Sequence, residues 1–208
     1  MPTKPTRLRT GAVTLLIAAS LTGVAGAAPQ VGTPAPAFTA TDTNGKTHSL
    51  GDFRGKTVVL EWTNHGCPYV RKHYDTGNMQ ALQEDATEDG MIWLSVISSA
   101  PGMHGHVSPE RANELTETRD ASPSAVLLDP SGEVGKAYGA RTTPHMYIID
   151  PDGTLMYMGA IDDRPTSRHS SVDGATNYVR EALTAMENGE EIAEPVTRAY
   201  GCSVKYGS

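Results

Sequence analysis

A buried strand that leads directly into a cysteine and then a helix is the feature that most constrains this chain. The apolar, β-branched run over residues 57–63 predicts the strand, and Cys67 follows it after a short loop. Pro68 comes next, and proline suits a first helical turn because an N–H has no partner there. Helix N-termini stabilise thiolates, the reactive form of cysteine. Cys67 is therefore predicted to be a reactive thiol, with an inert buried cysteine as the alternative.

Strand and helix patterns alternate along the chain on both sides of this junction. Asn44-Gly45 predicts the tight turn of a hairpin. Apolar periodicity predicts strands at residues 38–40, 47–50, 57–63, 91–98, 125–128, 145–149 and 155–158, and helices at residues 68–86 with a break at 76–78, 108–119, 133–138 and 172–187. Such alternation predicts an α/β fold, with a central mixed β-sheet flanked by helices on both faces.

Residues 1–27 carry the pattern of a secretory signal peptide. A basic segment without acids precedes an apolar stretch over residues 11–23, and Ala25-Gly26-Ala27 has the form of a cleavage site. A membrane anchor is the alternative, although the apolar stretch is short for a span. We therefore expect cleavage after Ala27 and a periplasmic or secreted product.

Cleavage would leave one domain over residues 28–190 and a tail over residues 191–208, with no further membrane association. The whole chain has a formal net charge of −7, and loss of Lys4, Arg7 and Arg9 lowers it to −10. Because an acidic protein repels nucleic acid and anionic lipid, neither is an expected partner. No glycine-rich phosphate loop follows a strand and no C-x-x-C-H motif is present, so no nucleotide, flavin or haem cofactor is expected.

Cys67 and Cys202 are the two cysteines of the chain, and 135 positions separate them. An even number of cysteines in an exported protein suggests a disulfide bridge. Three interpretations stay open: a redox-active bridge in which Cys202 resolves an intermediate on Cys67, a permanent structural staple, or two sulfurs that never meet. Either kind of bridge requires the two Cα atoms to lie within about 7 Å.

The chain also resembles the thioredoxin-like superfamily over most of residues 31–190. Four features carry the resemblance: Trp62 before the strand–Cys67–helix junction, the loop Thr142-Thr143-Pro144, the strand and turn over residues 146–153, and the amphipathic C-terminal helix. The resemblance implies a thioredoxin-like fold in which Pro144 follows a cis peptide bond and faces the active cysteine.

Within the superfamily, three short runs are similar to the peroxiredoxin-like redoxin group of exported bacterial proteins, the AhpC/TSA type. They are Asn64–Val70, Thr143-Pro144-His145 and Gly201–Lys205. This resemblance implies thiol oxidoreductase chemistry with Cys67 as the redox nucleophile. Cys202 is then the candidate resolving cysteine.

The chain differs from thioredoxins and peroxiredoxins at the residues that assist the active cysteine in those proteins. Thioredoxins carry a second cysteine three positions after the first, and Val70 stands there. Peroxiredoxins carry P-x-x-x-T-x-x-C, where this chain has Leu60 and Asn64 in place of proline and threonine. Asn64 could still donate a hydrogen bond to a peroxide oxygen. Pro144 takes the place of the peroxiredoxin arginine, so Arg141 is the candidate to replace it.

Several neighbouring side chains are candidates for supporting roles. His65 could act as a cation that lowers the pKa of Cys67, or it is an exposed loop histidine. Thr143 and His145 flank Pro144 in the cis-proline loop, which would make His145 face the thiol. Alternatively, His145 has only a structural role. Trp62 is interpreted mainly as a packing residue.

Two functional classes stay open. The first is an exported thiol-disulfide oxidoreductase that acts on protein disulfides or, more slowly, on peroxides, with electrons from an unidentified periplasmic thiol reductant. The second is a non-catalytic periplasmic binding protein or copper chaperone that uses Cys67, His65 and the run Met103-His104-Gly105-His106. Methionine and histidine suit copper, but the simpler interpretation of the same run is a flexible, glycine-containing loop with chance histidines.

Two segments near the C-terminus carry little pattern. Asp162 and Asp163 are predicted to lie in an ordinary polar loop, where Arg164 pairs with one of the two carboxylates. From Glu190 onward the chain shows no periodicity, and this tail carries Cys202.

Overall fold

The computed structural model describes residue 1 and residues 28–207. Apart from Met1, the predicted signal peptide of residues 1–27 lies outside the described residues. Within the described part of the chain, no helix is both long enough and apolar enough to cross a membrane.

The described residues form nine β-strands and five α-helices, together with 3₁₀ turns at Leu50–Phe53 and His169–Ser171. The strands are β1 (Thr39–Asp42), β2 (Thr47–Ser49), β3 (Val58–Trp62), β4 (Ile92–Ile97), β5 (Ala125–Leu128), β6 (Thr142–Thr143), β7 (His145–Ile149), β8 (Leu155–Gly159) and β9 (Cys202–Ser203). The helices are α1 (Pro68–Asp75), α2 (Asn78–Glu88), α3 (Pro109–Thr118), α4 (Glu133–Ala137) and α5 (Tyr178–Glu187). Every predicted element is present, and β6 and β9 are additional.

Seven strands form one mixed sheet in the order β2-β1-β5-β4-β3-β7-β8. The central strands β3, β4 and β5 run parallel to one another, and the remaining pairs are antiparallel. Parallel neighbours need a crossover connection, which α1 with α2 supplies between β3 and β4, and α3 between β4 and β5. β6 and β9 form a separate, two-stranded antiparallel sheet.

β3 carries the site, and its side chains alternate between the two faces of the sheet. Val59 packs with α1, α2 and α5 on one face, whereas Val58, Leu60 and Trp62 pack with α4 on the other. All four side chains are buried, and burial of such a side chain stabilises the fold by about 1.5–3 kcal/mol. The end of β3 is therefore firmly held, and the predicted arrangement of helices on both faces is confirmed.

The helical predictions need one correction. The long predicted helix does break where expected, because Gly77 adopts a left-handed φ of +74° between α1 and α2. α5, however, begins at Tyr178 rather than at Val172. Asn177 caps the helix there, since its Oδ1 accepts the backbone N–H of Arg180 at 3.1 Å. A local capping residue thus overrides the longer amphipathic pattern.

The predicted tail, described over residues 191–207, is folded against the domain. Its first part forms a parallel bridge to β8. Its middle forms β9, which pairs antiparallel with β6 so that Cys202 lies opposite Thr143. Its end is held by the Tyr206 hydroxyl, which donates to the carbonyl of Ala140 at 2.6 Å. The tail therefore crosses the molecule from β8 to the loop before β6.

Candidate active site

Cys67 is the N-cap residue of α1. Its backbone N–H donates to the carbonyl of Asn64 at 3.0 Å, and its own carbonyl accepts a helical hydrogen bond from Arg71 at 2.9 Å. Pro68 occupies the first helical turn, as predicted. The thiol therefore lies at the positive end of the helix dipole, which favours the thiolate, while the whole residue is fully buried.

β9 brings Cys202 to the same point. The Sγ atom of Cys67 lies 2.7 Å from the Sγ atom of Cys202 and 3.1 Å from the carbonyl oxygen of Thr143. Both cysteines are free thiols. A covalent disulfide would bring the two sulfurs to about 2.05 Å, so only a small movement separates this pair from a bond.

The loop that faces the thiols contains the cis peptide bond implied by the resemblance, between Thr143 and Pro144. The carbonyl that precedes Pro144 is the one that Cys67 contacts. The hydroxyl of Thr143 is buried and has no hydrogen-bond partner among the described residues. Thr143 therefore carries an unused hydroxyl donor on the same residue whose carbonyl Cys67 contacts.

Cys202 is held in its protonated form by its surroundings. Burial, followed by the hydrogen bond and the charge of Cys67, raises the pKa of Cys202 to about 12, while the nearby charge of Lys205 acts in the opposite direction. Two of the three causes that raise this pKa come from Cys67. The reactivity of Cys202 therefore depends on the chemical state of its neighbour.

Asn64 connects two loops beside the thiol. Its Oδ1 accepts the backbone N–H of Gly66 at 2.9 Å. Its Nδ2 donates to the carbonyl of His104 at 3.2 Å and lies 3.4 Å from the Nδ1 atom of the same residue. Both ends of the amide are thus engaged, and the predicted hydrogen bond to a peroxide oxygen would compete with the contacts to His104.

His65 is half-buried, and its ring stacks on that of His104 with 6.4 Å between the centroids. Burial, followed by the charges of Arg119, Arg111 and His104, lowers the pKa of His65. Arg119 also donates to the backbone carbonyl of His65 at 2.9 Å. A histidine in these surroundings is neutral at pH 7, which gives no support to a cationic role beside Cys67.

The remaining candidates form a packed aromatic region behind β3. Trp62 donates from Nε1 to the hydroxyl of Ser98 at 3.0 Å and packs edge-on against Tyr147. His145 lies 4.6 Å from the ring of the same Tyr147, and burial, followed by the charge of Arg141, lowers its pKa to about 4. The residue Arg141 is exposed. These contacts support the packing interpretation of Trp62 and the structural interpretation of His145.

The copper hypothesis receives no support from the arrangement of ligands. Met103 is exposed, and the Nδ1 atom of His106 lies 3.1 Å from the carbonyl of Ser99. Within residues 28–207 no group of three or more histidine, cysteine, aspartate and glutamate side chains is placed to hold a metal ion.

Glu61 is a buried carboxyl group that sequence analysis missed. It accepts hydrogen bonds from Tyr74 at 2.9 Å, Ser95 at 3.0 Å, Trp93 at 3.1 Å and Gln83 at 3.2 Å. Burial raises its pKa, and the hydrogen bonds oppose the rise. An acidic residue within an otherwise apolar strand was the available signal, and it lies six positions before Cys67.

Asp162 shows that the prediction of an ordinary polar loop is wrong at this position. Arg164 does pair with Asp163 at 3.2 Å, as expected. Asp162, however, is only 2% exposed and pairs with the fully buried Lys72 at 3.1 Å. The hydroxyl of Tyr200 also bonds to Asp162. No local sequence pattern predicts this cluster, because its members come from distant segments of the chain.

Comparison with known proteins agrees with the fold. The model of the AhpC/TSA family matches residues 31–158. The thiol-disulfide oxidoreductase ResA of Geobacillus kaustophilus is 30% identical over 148 residues, which cover 67% of this chain and 75% of that protein. A hypothetical protein of Sinorhizobium meliloti has a solved structure that is similar with a TM-score of 0.75, at 23% identity over 88% of this chain and 97% of the other. The thioredoxin domain of a thiol-disulfide oxidoreductase from Bacteroides vulgatus gives a TM-score of 0.51, at 24% identity over 69% and 96% of the two chains. The predicted thioredoxin-like fold is confirmed.

Proposed function

This chain belongs to the AhpC/TSA family, and from that premise we propose that it is an extracytoplasmic thiol-disulfide oxidoreductase. Cys67 is the nucleophile and Cys202 is the resolving cysteine. The observation that carries the proposal is the 2.7 Å separation of two free thiols at the N-terminus of α1. The signal-peptide pattern of residues 1–27 supports the location, and the name of the Geobacillus relative supports the reaction class.

The first step is attack by the Cys67 thiolate on one sulfur of a substrate disulfide. The substrate S–S bond breaks, a mixed disulfide forms on Cys67, and the departing sulfur leaves as a thiolate that takes up a proton. The helix dipole of α1 stabilises the attacking thiolate. Because Cys67 is fully buried beside β9, the substrate reaches it only when the tail moves away from β6.

The second step is resolution by Cys202. Once the Cys67 sulfur is part of a mixed disulfide, it no longer contributes charge or a thiol hydrogen bond, so two causes of the high Cys202 pKa disappear. The Cys202 thiolate then attacks the Cys67 sulfur, the mixed disulfide breaks, and the substrate leaves as its second thiol. The substrate disulfide has then been reduced to two thiols, and the enzyme has been oxidised by two electrons to the Cys67–Cys202 disulfide. A thiol reductant restores both enzyme thiols.

Disulfides suit this site better than peroxides. The peroxiredoxin threonine is replaced by Asn64, whose side-chain donors are directed to His104. Arg141 is exposed, and the hydrogen-bond partners of the Cys67 thiol are the carbonyl of Thr143 and the sulfur of Cys202 rather than Arg141. We therefore assign protein disulfides as the substrate class.

Two single substitutions test the assignment of the cysteines. Cys67→Ser should abolish reduction of a disulfide-bonded test protein, because the nucleophile is lost. Cys202→Ser should instead accumulate a mixed disulfide at Cys67, visible by mass spectrometry of the trapped complex. Full activity in Cys67→Ser would contradict the proposal.

A further inference from the structure

We propose that Tyr200 is a positioning residue that holds Cys202 over Cys67 through a buried polar cluster. The cluster consists of Lys72, His73, Asp162 and Tyr200. This inference rests on the proposed function, because it explains how the tail that carries the resolving thiol is kept in place. Tyr200 itself takes no part in the transfer of electrons.

The core of the cluster is an ion pair that is closed off from solvent. Lys72 is 0% exposed, and its Nζ atom lies 3.1 Å from the carboxylate of Asp162 and 3.0 Å from the carbonyl of Arg164. Asp162 also accepts the backbone N–H of Arg164 at 3.0 Å. A buried ion pair needs such surrounding hydrogen bonds to offset the loss of hydration.

The Tyr200 hydroxyl completes the set of contacts. It donates to the carboxylate of Asp162, accepts from the Nζ atom of Lys72 at 3.0 Å, and lies 3.3 Å from the Nε2 atom of His73. The Tyr200 ring also packs edge-on against Tyr69 on α1. Hydrogen bonds to charged groups are about twice as strong as those between neutral groups, so this hydroxyl is a firm anchor.

The anchor is connected to both thiols by short, rigid links. Lys72 is on α1, the same helix that Cys67 caps, so one element carries the nucleophile and the cationic end of the cluster. On the tail, Gly201 alone separates Tyr200 from Cys202. Because two residues of chain span at most about 7 Å, the position of the Tyr200 hydroxyl restricts where Cys202 can lie.

Gly201 adds a second restriction at the same place. Its φ is +139°, a conformation that favours glycine, and a Cβ atom there would overlap the carbonyl oxygen of Thr143. The tail backbone is thus pressed against the carbonyl that Cys67 contacts. An anchored tail keeps the effective concentration of Cys202 at Cys67 high, which favours closure of the disulfide.

Tyr200→Phe tests the anchor without orphaning the ion pair. The ring keeps its packing, Lys72 keeps Asp162 and the Arg164 carbonyl, and Asp162 keeps Lys72 and the Arg164 N–H. Only the hydroxyl link between tail and cluster is removed. We expect the equilibrium constant for the Cys67–Cys202 disulfide against glutathione to fall about tenfold, which is a rise of about 30 mV in midpoint potential.

Two further variants make the result specific. Tyr138→Phe removes another buried hydroxyl, one that donates to the carbonyl of Pro36 rather than to the tail or the cluster, and should leave the midpoint unchanged. Asp162→Asn weakens the acceptor of the Tyr200 hydroxyl without altering the tail, and should move the midpoint in the same direction as Tyr200→Phe. Because Asp162→Asn also removes the charge partner of the buried Lys72, its fold is checked by circular dichroism before its midpoint is measured.

The outcomes separate this inference from the proposed function. A wild-type protein that forms no Cys67–Cys202 bond in glutathione buffers would overturn the proposed function. A wild type that forms the bond, with a midpoint that neither Tyr200→Phe nor Asp162→Asn shifts, would overturn the positioning role alone. A shift in both variants and none in Tyr138→Phe would support it.

Discussion

The protonation of Cys202 depends on its neighbour Cys67. Cys67 supplies a hydrogen bond and a charge that raise the pKa of Cys202, in addition to the effect of burial. In the proposed mechanism, Cys202 therefore stays protonated until Cys67 has reacted. Such an order prevents both thiols from competing for the same substrate.

This dependence predicts a faster reaction of Cys202 when Cys67 is replaced. In Cys67→Ala, the pKa of Cys202 should fall from about 12, because only burial still raises it. The rate of Cys202 alkylation at pH 8 should then rise by about tenfold or more, in step with the thiolate fraction. Cys67→Ser controls for the lost volume; because its hydroxyl can keep a hydrogen bond to Cys202, its rate should lie between those of wild type and Cys67→Ala. Equal rates in wild type and variants would contradict the coupling.

Gly201 is the residue at which the tail tolerates no side chain. Gly201→Ala should push β9 away from β6, because its Cβ atom would meet the Thr143 carbonyl and its φ of +139° is unfavourable for alanine. We expect a loss of about 1–3 kcal/mol in unfolding free energy and faster alkylation of Cys67. Gly207→Ala, later in the same tail, meets only Ala100 at 3.4 Å and should change neither quantity. An unaffected Gly201→Ala variant would show that the close approach is unimportant.

Single residues were predictable from sequence where the signal was local. Cys67 and Pro68 were found from a strand–helix junction, and the cis bond before Pro144 came from the resemblance. Lys72 and Tyr200 were missed, because a buried charge is stabilised by partners that lie 90 and 128 positions away from Lys72. A one-sequence pattern contains no information on such distant contacts.

Among the structural elements, β9 has the largest effect on the site for its size. It has two residues, yet it pairs with β6 and covers the buried Cys67 with the only other thiol of the chain. An edge such as β6, once uncovered, offers free backbone N–H and C=O groups to another strand. In the proposed mechanism, the tail therefore controls access to Cys67 as well as supplying the resolving sulfur.

Removal of β9 should make Cys67 accessible to solvent. A chain truncated after Arg198 retains the bridge between the tail and β8 but lacks β9. Alkylation of Cys67 should become at least about tenfold faster than in full-length Cys202→Ala, which keeps the cover and lacks only the thiol. If the two variants react at the same rate, β9 does not shield Cys67.

Elements with a local sequence signal were predictable, whereas the two-residue strands β6 and β9 were not, for a physical reason. The first two strands of the main sheet follow from the alternation around Asn44-Gly45, the other five from apolar runs, and the break between α1 and α2 from Gly77. β6 and β9 are too short to show a period of two, and their pairing is set by tertiary contacts. The start of α5 was misplaced because the helix begins only after Asn177, which has an extended backbone and caps it.

At the scale of the whole molecule, burial of His73 makes folding sensitive to acid. Burial, followed by the charge of Lys72, lowers the pKa of His73 to about 3. Since the unfolded chain binds the proton near pH 6.5, stability is full above that value and is lost progressively as the pH falls towards 3. The loss at pH 5 is about 2 kcal/mol from this residue.

His73→Gln should remove most of this part of the acid sensitivity. Glutamine can still accept from Asn78 and contact the Tyr200 hydroxyl, but it does not titrate. Urea denaturation at pH 7 and pH 5 measures the drop in unfolding free energy, which should be smaller in the variant than in wild type. His169→Gln, at an exposed histidine, should leave the drop unchanged. A variant that loses as much stability as wild type would contradict the assigned pKa.

A redox titration of the mature protein in glutathione buffers tests whether Cys67 and Cys202 interconvert between two thiols and a disulfide. Alkylation and peptide mass mapping would report the state of Cys67 and Cys202 at each potential. We predict a reversible Cys67–Cys202 bond with a midpoint between about −120 and −270 mV, the range of working thiol oxidoreductases. Absence of the bond, or a bond that stays intact below about −300 mV as structural disulfides do, would contradict the account.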